Sequence, residues 1–168
     1  MVFIPRDPVM QNQFLVHDSS KGTTATAGAV VSLSASEKVE AVSGTNTPPY
    51  GFLMQNVKAE SSAHPTGFRL PGDLGSSDAF TGDPVGVAHL GLYDTTFYDT
   101  AATYTQSDLL GVTEAGTVTP VDSGRAIDFA DKNGLTAADS DRVVAVAQNS
   151  LNSTQVAAGE SLRIKLLI

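Results

Sequence analysis

The sequence predicts an all-β protein built from two related units of β-strands. Three observations indicate this class: short runs rich in β-branched residues, frequent turn residues between those runs, and scarce helical patterning. Ser and Thr make up 33 of the 168 residues, beside 15 Gly and 8 Pro. Short strands separated by such turn residues are typical of small barrels and sandwiches, so we expect barrel or sandwich units with long loops.

Residues 1–21 are predicted to form an extended N-terminal arm. Pro5 and Pro8 oppose a helix there, because proline has no amide donor and a fixed φ. Phe14 and Leu15 belong to an apolar patch that needs a surface to cover it. Such an arm either adds a strand to a neighbouring subunit or folds back on its own domain, and the sequence leaves both open.

The β domain is predicted to span residues 22–168, with its first unit at about 22–93. A hairpin is expected over 28–42, where apolar and polar residues alternate on both sides of a polar turn. An apolar strand follows over 51–54, and a further strand begins at residue 85. Between them, residues 57–81 carry several Gly and Pro and predict a long loop.

The second unit, at about residues 104–168, repeats the order of the first. Its hairpin residues lie 79 positions after their counterparts: Leu110, Val112, Val118 and Val121 follow Val31, Leu33, Val39 and Val42. Three corresponding segments in the same order favour a duplication. The second unit carries its own long segment at 122–142, in which residues 136–141 are predicted to begin a short helix.

Two further matches define the correspondence between the units. The pair Gln148-Asn149 ends an apolar strand, as Gln55-Asn56 does in the first unit. Gly159 precedes the closing strand as Gly82 precedes the strand near residue 85. We therefore align the apolar strands on their Gln-Asn pairs and the later strands on their glycines.

Composition excludes several classes of function. The net charge of −8 opposes nucleic-acid binding, which needs a basic surface. The chain has no Cys, and hence no disulfide, thiol nucleophile or Cys-based zinc site. Since no apolar run approaches 18 residues, we expect no membrane span. The first ten residues lack the order of an export signal.

Residues that could carry chemistry are present, but they form no recognised motif. The three histidines, His17, His64 and His89, are far apart in the sequence. No Gly-x-Ser-x-Gly elbow and no glycine-rich phosphate loop occur. Acidic residues cluster only loosely, among turn residues: Asp73, Asp78, Asp83, Asp94, Asp99, Asp139 and Asp141. We therefore predict a non-enzymatic protein with no cofactor and no metal.

One family resemblance is carried by short strand patterns. These are Ala27-Gly28-Ala29-Val30-Val31-Ser32-Leu33, Val39-Glu40-Ala41-Val42, Tyr50-Gly51-Phe52-Leu53, Gly82-Asp83-Pro84-Val85-Gly86-Val87, and Leu109-Leu110-Gly111-Val112 with Gly116-Thr117-Val118-Thr119. Together they resemble the head decoration, or cement, proteins of tailed bacteriophages, over most of residues 22–166. The segments 57–81 and 122–142 depart from that family's minimal barrel.

The resemblance implies a structural protein on the outer surface of the virion, made in the host cytoplasm. Such a protein binds the major capsid protein, often as a homotrimer, and stabilises the assembled head by bridging capsid subunits. Simultaneous contacts give such a protein avidity, so each contact can be modest. We assign partner binding to residues of the arm and the first long loop: Phe3, Ile4, Pro5, Pro8, Phe14, Leu15, Phe68 and Leu70.

An alternative function is a carbohydrate-binding or adhesion module of a phage tail or cell surface. Its stacking surface would come from the aromatic residues Tyr93, Phe97, Tyr98 and Tyr104. The competing interpretation places these aromatics in the core or in a subunit interface, and we favour it.

Overall fold

The structure is a computed structural model that describes residues 3–5, 11–16, 25–34, 38–42, 48–59, 78–127 and 143–168. For residues 4–5 and 11–16 it describes the backbone alone. The predicted helix at 136–141 and most of both long segments lie outside the described residues.

Strands account for most of the regular structure in the described ranges. They are β1 (Phe3–Pro5), β2 (Gln11–Val16), β3 (Val30–Leu33), β4 (Val39–Ala41), β5 (Gly51–Leu53), β6 (Asn56–Lys58), β7 (Asp78–Phe80), β8 (Pro84–Thr95), β9 (Leu109–Val112), β10 (Val118–Pro120), β11 (Ala145–Ala147) and β12 (Leu162–Leu166). One short helix, α1 (Ser153–Ala157), and a 3-10 turn at Val121–Ser123 complete the described elements. The all-β prediction is confirmed.

The long strand β8 lies near the centre of the main sheet. The main sheet runs in the order β10-β9-β11-β12-β8-β5-β3-β4, with antiparallel neighbours, and curls into a half-barrel. β1 and β2 also pair with β8, while β6 and β7 form a separate parallel pair. Because β8 is 12 residues long, it pairs with strands of both units. The two units therefore share one sheet, whereas the sequence left open whether they form one barrel, two barrels or a sandwich.

The hairpins of the two units have the same register. Val31 faces Ala41 in the β3–β4 hairpin, and Leu110 faces Pro120 in the β9–β10 hairpin. The same cross-strand bond follows each hairpin: the Tyr50 N–H donates to the Val31 carbonyl at 2.7 Å, and the Val144 N–H to the Leu110 carbonyl at 2.8 Å. The hairpin residues keep the offset of 79 positions, as from Val31 to Leu110.

The apolar strands β5 and β11 also correspond, with one correction. The Leu53 N–H donates to the Ala29 carbonyl, and the Ala147 N–H to the Asp108 carbonyl, both at 2.9 Å. From Leu53 to Ala147 the offset is 94, whereas aligning the Gln-Asn pairs makes it 93. The predicted alignment of this strand is therefore shifted by one residue.

The side chain that follows each apolar strand explains the shift. In the first unit, Gln55 Oε1 accepts a bond from the Gly86 N–H at 3.1 Å. In the second, Asn149 Oδ1 accepts one from the Arg163 N–H at 2.7 Å. The two amides cap equivalent positions of β8 and β12, so the residue that answers Gln55 is Asn149. Because Gln-Asn occurs in both units, the sequence alone matches Gln55 with Gln148 and misses the equivalence of Gln55 and Asn149.

Each unit buries a core on the same face of its strands. The first core contains Val31, Val39, Leu53, Val57, Ala79, Val85 and Val87. Their counterparts in the second unit are buried too: Leu110, Val118, Ala147, Leu151, Val156, Leu162 and Ile164. Burial of equivalent apolar positions is the main source of stability in both units.

The opposite face of the first unit's sheet packs on the second unit. Val30 and Phe52 are fully buried there, in the same cluster as the second core. The Val30 N–H donates to the carbonyl of Gly116, in the β9–β10 turn, at 2.9 Å. The Phe3 ring stacks on Phe52 with centroids 5.9 Å apart, and on Tyr93 at 4.5 Å. The contact between the units is therefore head-to-tail: the β9–β10 turn of the second unit meets the backbone of β3 in the first unit.

Candidate partner-binding surfaces

The N-terminal arm lies against its own chain in this structure. Phe3, Ile4 and Pro5 pair with residues 93–95, and β2 pairs with residues 84–90. Phe3 is only 8% exposed, since its ring fills the space between Phe52 and Tyr93. In this structure the edge of β8 pairs with the arm as a strand, and the Phe3 side chain is part of the core. Partner binding at Phe3 stays a prediction, and it would require this side chain to leave the core.

The other residues predicted to bind a partner are placed less fully. The backbones of Phe14 and Leu15 lie opposite Gly86 and Val85. Pro8, Phe68 and Leu70 lie outside the described residues. For these residues partner binding stays a prediction.

A different surface, which we name the leucine face, lies on the outer side of the second unit's sheet. It consists of Leu90, Leu92, Leu109, Val146, Lys165 and Leu167. The strand register runs from Leu109 to Val146, then to Lys165, then to Leu92, so these four share one face. Leu167 and Leu90 come one step beyond the last pair of β12 and β8, Leu166 with Gly91, and extend the same face.

The exposure of the leucine face is unusual for this chain. Leu109 is 52% exposed, Leu167 49% and Leu90 44%. Among the described residues they are three of the four exposed large hydrophobic side chains; the fourth is Leu33 at 39%. A cluster of exposed leucines is typical of a protein-binding surface, because water solvates apolar side chains poorly.

The leucine face has a counterpart in the first unit. Val30, Phe52 and Ala88 occupy the positions of Leu109, Val146 and Lys165, by the offsets of 79, 94 and 77. All three first-unit residues are fully buried. These three positions are thus covered in the first unit, whereas Leu109 and Lys165 are exposed in the second.

A shallow polar groove of about 460 Å³ lies beside the β9–β10 turn. Within it the Arg125 Nε lies 2.8 Å from the Asp99 Oδ2, and the Thr119 hydroxyl donates to the same oxygen at 3.2 Å. The Tyr104 hydroxyl lies 3.0 Å from the carbonyls of both Asp99 and Val118. These bonds fasten the loop after β8 to the hairpin and give Asp99 and Arg125 a structural role.

The remaining acidic candidates in the described residues have internal partners. Asp94 is buried and accepts a bond from the Arg163 Nε at 2.9 Å. Asp78 pairs with Lys58, and this hydrogen bond, together with one from Asn56, holds the pKa of the Asp78 carboxyl below its usual value. Pairing of this kind favours structural roles over acid–base catalysis.

In the described parts of the chain, histidine and acidic side chains form no metal site. The His89 ring packs edge-on against Tyr50 with centroids 4.8 Å apart; His17 and His64 lie outside the description. No group of three or more His, Asp or Glu side chains in the described ranges is placed to hold a metal ion. Nor does any described helix have the length and apolar character needed to cross a membrane.

The aromatic residues considered for sugar stacking are mostly internal. Tyr93, Tyr98 and Tyr104 are 0%, 4% and 2% exposed, and Phe97 is half-buried. The Tyr98 and Tyr104 rings meet edge-to-face at 5.4 Å. A sugar ring needs an exposed aromatic face, which these three tyrosines do not offer.

Sequence reasoning overlooked the leucine face, although a signal for it exists. Leu109-Leu110 and Leu166-Leu167 are pairs of adjacent leucines within or at the end of strands. Successive side chains of a strand point to opposite faces, so one leucine of each pair must lie outside the core.

Comparison with known proteins adds no identification. No protein-family model matches the chain, and the search of curated proteins yields no match.

Proposed function

We propose that this chain is a structural protein that binds the outer surface of an assembled phage capsid and bridges neighbouring major capsid subunits. The observation that carries the proposal is the duplication. Two units with the same hydrogen-bonding framework in one chain present related surfaces at two places. A capsid is a lattice of identical subunits, and a two-unit protein is suited to contacting two of them at once, which gains avidity.

Other properties support a binding role. The net charge of −8 suits a protein on an exposed particle surface, because like charges keep particles apart in solution. The described acidic and aromatic candidates are used internally, in ion pairs and in the core. The resemblance of the strand patterns to decoration proteins supplies the specific partner, the major capsid protein.

The proposal is tested by adding the purified chain to mature, emptied phage capsids of its source and sedimenting the particles. We expect the chain to cosediment with assembled capsids and to leave free capsid subunits unbound. Capsids carrying the chain should withstand a higher temperature before they break apart. Capsids that neither bind the chain nor gain heat resistance would contradict the proposal.

A matched pair of variants identifies the contribution of bivalency. Each unit should be altered in turn by a charge-introducing substitution at an equivalent exposed position: Ala59→Glu in the first unit and Ser153→Glu in the second, at positions 94 apart. If both units touch the capsid, either change weakens binding, and the double change weakens it by much more than tenfold. Capsid binding that withstands both substitutions would place the contact elsewhere and contradict bridging through these equivalent surfaces.

A further inference from the structure

We infer that the leucine face is a capsid-contacting surface, and that the segment of the major capsid protein seated on it is apolar with a carboxylate opposite Lys165. This inference rests on the proposed function, and it names the chemistry of the capsid surface that the second unit meets.

The leucine face is large enough to seat a short segment of a partner. The register places Leu109, Val146, Lys165 and Leu92 side by side on four neighbouring strands. At about 4.8 Å between neighbouring strands, that row is roughly 14 Å long. Leu167, which is 49% exposed, lies further along β12 and widens the apolar area. Covering these side chains removes apolar surface from water, which favours the contact.

Lys165 determines what else the occupant must supply. It lies on β12 between Val146 and Leu92, so a segment that covers the row also covers its ammonium group. In the described part of the chain, Lys165 has no carboxylate partner. Burying a charge without a partner is strongly unfavourable. An occupant that covers the row therefore has to bring an anion, and in a protein this is the carboxylate of Asp or Glu.

The other cation on this side of β12 is already neutralised. Arg163, two residues before Lys165, donates from its Nε to the Asp94 Oδ1 at 2.9 Å. Asp94 is only 6% exposed, so its carboxylate is used within the chain. Lys165 is thus an unneutralised cation in a chain whose net charge is −8. Because most of the surface repels a carboxylate, this cation favours docking of an acidic segment on the leucine face and in one orientation.

The equivalent position in the first unit is uncharged. Ala88 corresponds to Lys165 by the offset of 77, and it is fully buried in an apolar cluster with Phe52 and Val30. Where the chain covers this position with its own residues, alanine avoids a buried charge. Lysine at the uncovered position therefore indicates an occupant of different chemistry, one that carries the anion.

Cosedimentation of the full chain with mature capsids tests the apolar part of the contact. We expect Leu109→Asp and Leu167→Asp each to raise the dissociation constant at least about tenfold, because each places a carboxylate among the apolar side chains. Leu33→Asp is the matched control, since Leu33 is an exposed strand leucine outside the leucine face. It should leave the dissociation constant unchanged. Circular dichroism and thermal melting establish that each variant is folded.

Two substitutions at Lys165 test the carboxylate. Lys165→Met keeps an apolar stem without the charge, and it should raise the dissociation constant about tenfold and reduce the dependence of binding on salt. Lys165→Arg keeps the charge and should retain most of the binding. A carbodiimide, which joins an amine to a carboxylate in contact with it, should couple Lys165 of the wild type to an Asp or Glu of the capsid protein. Lys38→Met, at a lysine outside the leucine face, should change neither the binding nor this cross-link.

The outcomes separate the inference from the proposed function. A wild-type chain that does not bind capsids overturns both. If the wild type binds and the leucine-face variants bind as tightly, the inference is overturned while the proposed function stands. A carbodiimide cross-link to the capsid protein that forms at Lys38 and not at Lys165 would also contradict the inference alone.

Discussion

The side chain of Phe3 connects three parts of the molecule. Its ring stacks nearly parallel on both Phe52 and Tyr93, with interplanar angles of 6° and 8°. Phe52 belongs to the first unit's sheet, whereas Tyr93 lies in the part of β8 that pairs with the second unit's closing strand. Phe3 therefore joins the arm, the first unit and the second unit in one apolar contact.

Phe3→Ala should lower the free energy of unfolding by about 3–5 kcal/mol, because it removes a buried aromatic ring and leaves a cavity. Urea unfolding of the full chain measures the change. The control Leu33→Ala truncates a side chain that is 39% exposed and should cost less than about 1 kcal/mol. If both variants unfold alike, Phe3 is not docked in solution, and the arm again becomes a candidate for pairing with a neighbour.

Tyr104 is the titratable side chain whose ionisation reports most directly on burial in the core. Burial, the largest cause, together with the nearby Asp99 carboxylate, raises the pKa of Tyr104 far above its usual value of 10.0. The folded chain therefore holds the phenolic proton at pH values where the unfolded chain releases it. The stability linked to this proton is complete below pH 10 and is lost progressively as the pH rises through the pKa of the folded state.

We expect Tyr104→Phe to flatten the alkaline decline in the free energy of unfolding, since position 104 then no longer titrates. The variant should also lose about 1–2 kcal/mol at neutral pH, because two buried carbonyls lose their shared donor. Urea unfolding of both proteins between about pH 8 and about pH 11 gives the two slopes. Parallel slopes would contradict the burial of the Tyr104 hydroxyl.

At the scale of elements, equivalent turns of the two units differ in a testable way. Gly28 and Ser107 are counterparts, 79 positions apart, with φ of +91° and +77°. The Gly28 N–H donates to the Leu53 carbonyl at 2.7 Å, and the Ser107 N–H to the Ala147 carbonyl at 2.8 Å. A Cβ on Gly28 would come within 2.7 Å of the Thr95 hydroxyl oxygen, whereas Ser107 is exposed. Only the first turn is crowded by the contact between the units.

Gly28→Ala should therefore destabilise the chain by more than about 1 kcal/mol, through both the positive φ and the crowding. Ser107→Gly should stabilise it by up to about 1 kcal/mol, because glycine adopts this φ without a Cβ clash. Thermal melting of the two single variants provides the comparison. Shifts of the same sign would contradict the different surroundings of these turns.

Sequence patterns predicted the strands well where alternation and turn residues agree. The hairpins, the strand from residue 85 and the closing strand were all predicted close to their observed positions. The short helix α1 was not, although Asn152 and Gln155 form a capping box, with bonds of 3.0 Å in both directions. A helix of five residues has too few turns to show a helical period, so its cap was the only signal.

The candidate site was harder to predict than the fold. Alternation within a strand separates two faces, but it does not say which face a neighbouring unit covers. Val30 and Leu109 are equivalent apolar residues, yet one is fully buried and the other is 52% exposed. The difference arises from head-to-tail packing of the units, which no local pattern encodes. Phe3 was likewise assigned to a surface because nothing in the arm's sequence identifies β8 as its partner.

For the whole molecule, the central feature is a duplicated framework around one shared strand. Equivalent hydrogen bonds and equivalent cores recur in both units, while the outer faces differ in what covers them. The proposed bridging of a repeating lattice depends on this repetition of the framework.

The most direct test is electron cryo-microscopy of mature capsids incubated with the purified chain. We expect density for the chain on the outer surface, with its two units above neighbouring capsid subunits. Capsids that show no bound chain, or a chain that touches one capsid subunit through a single unit, would contradict the bridging role.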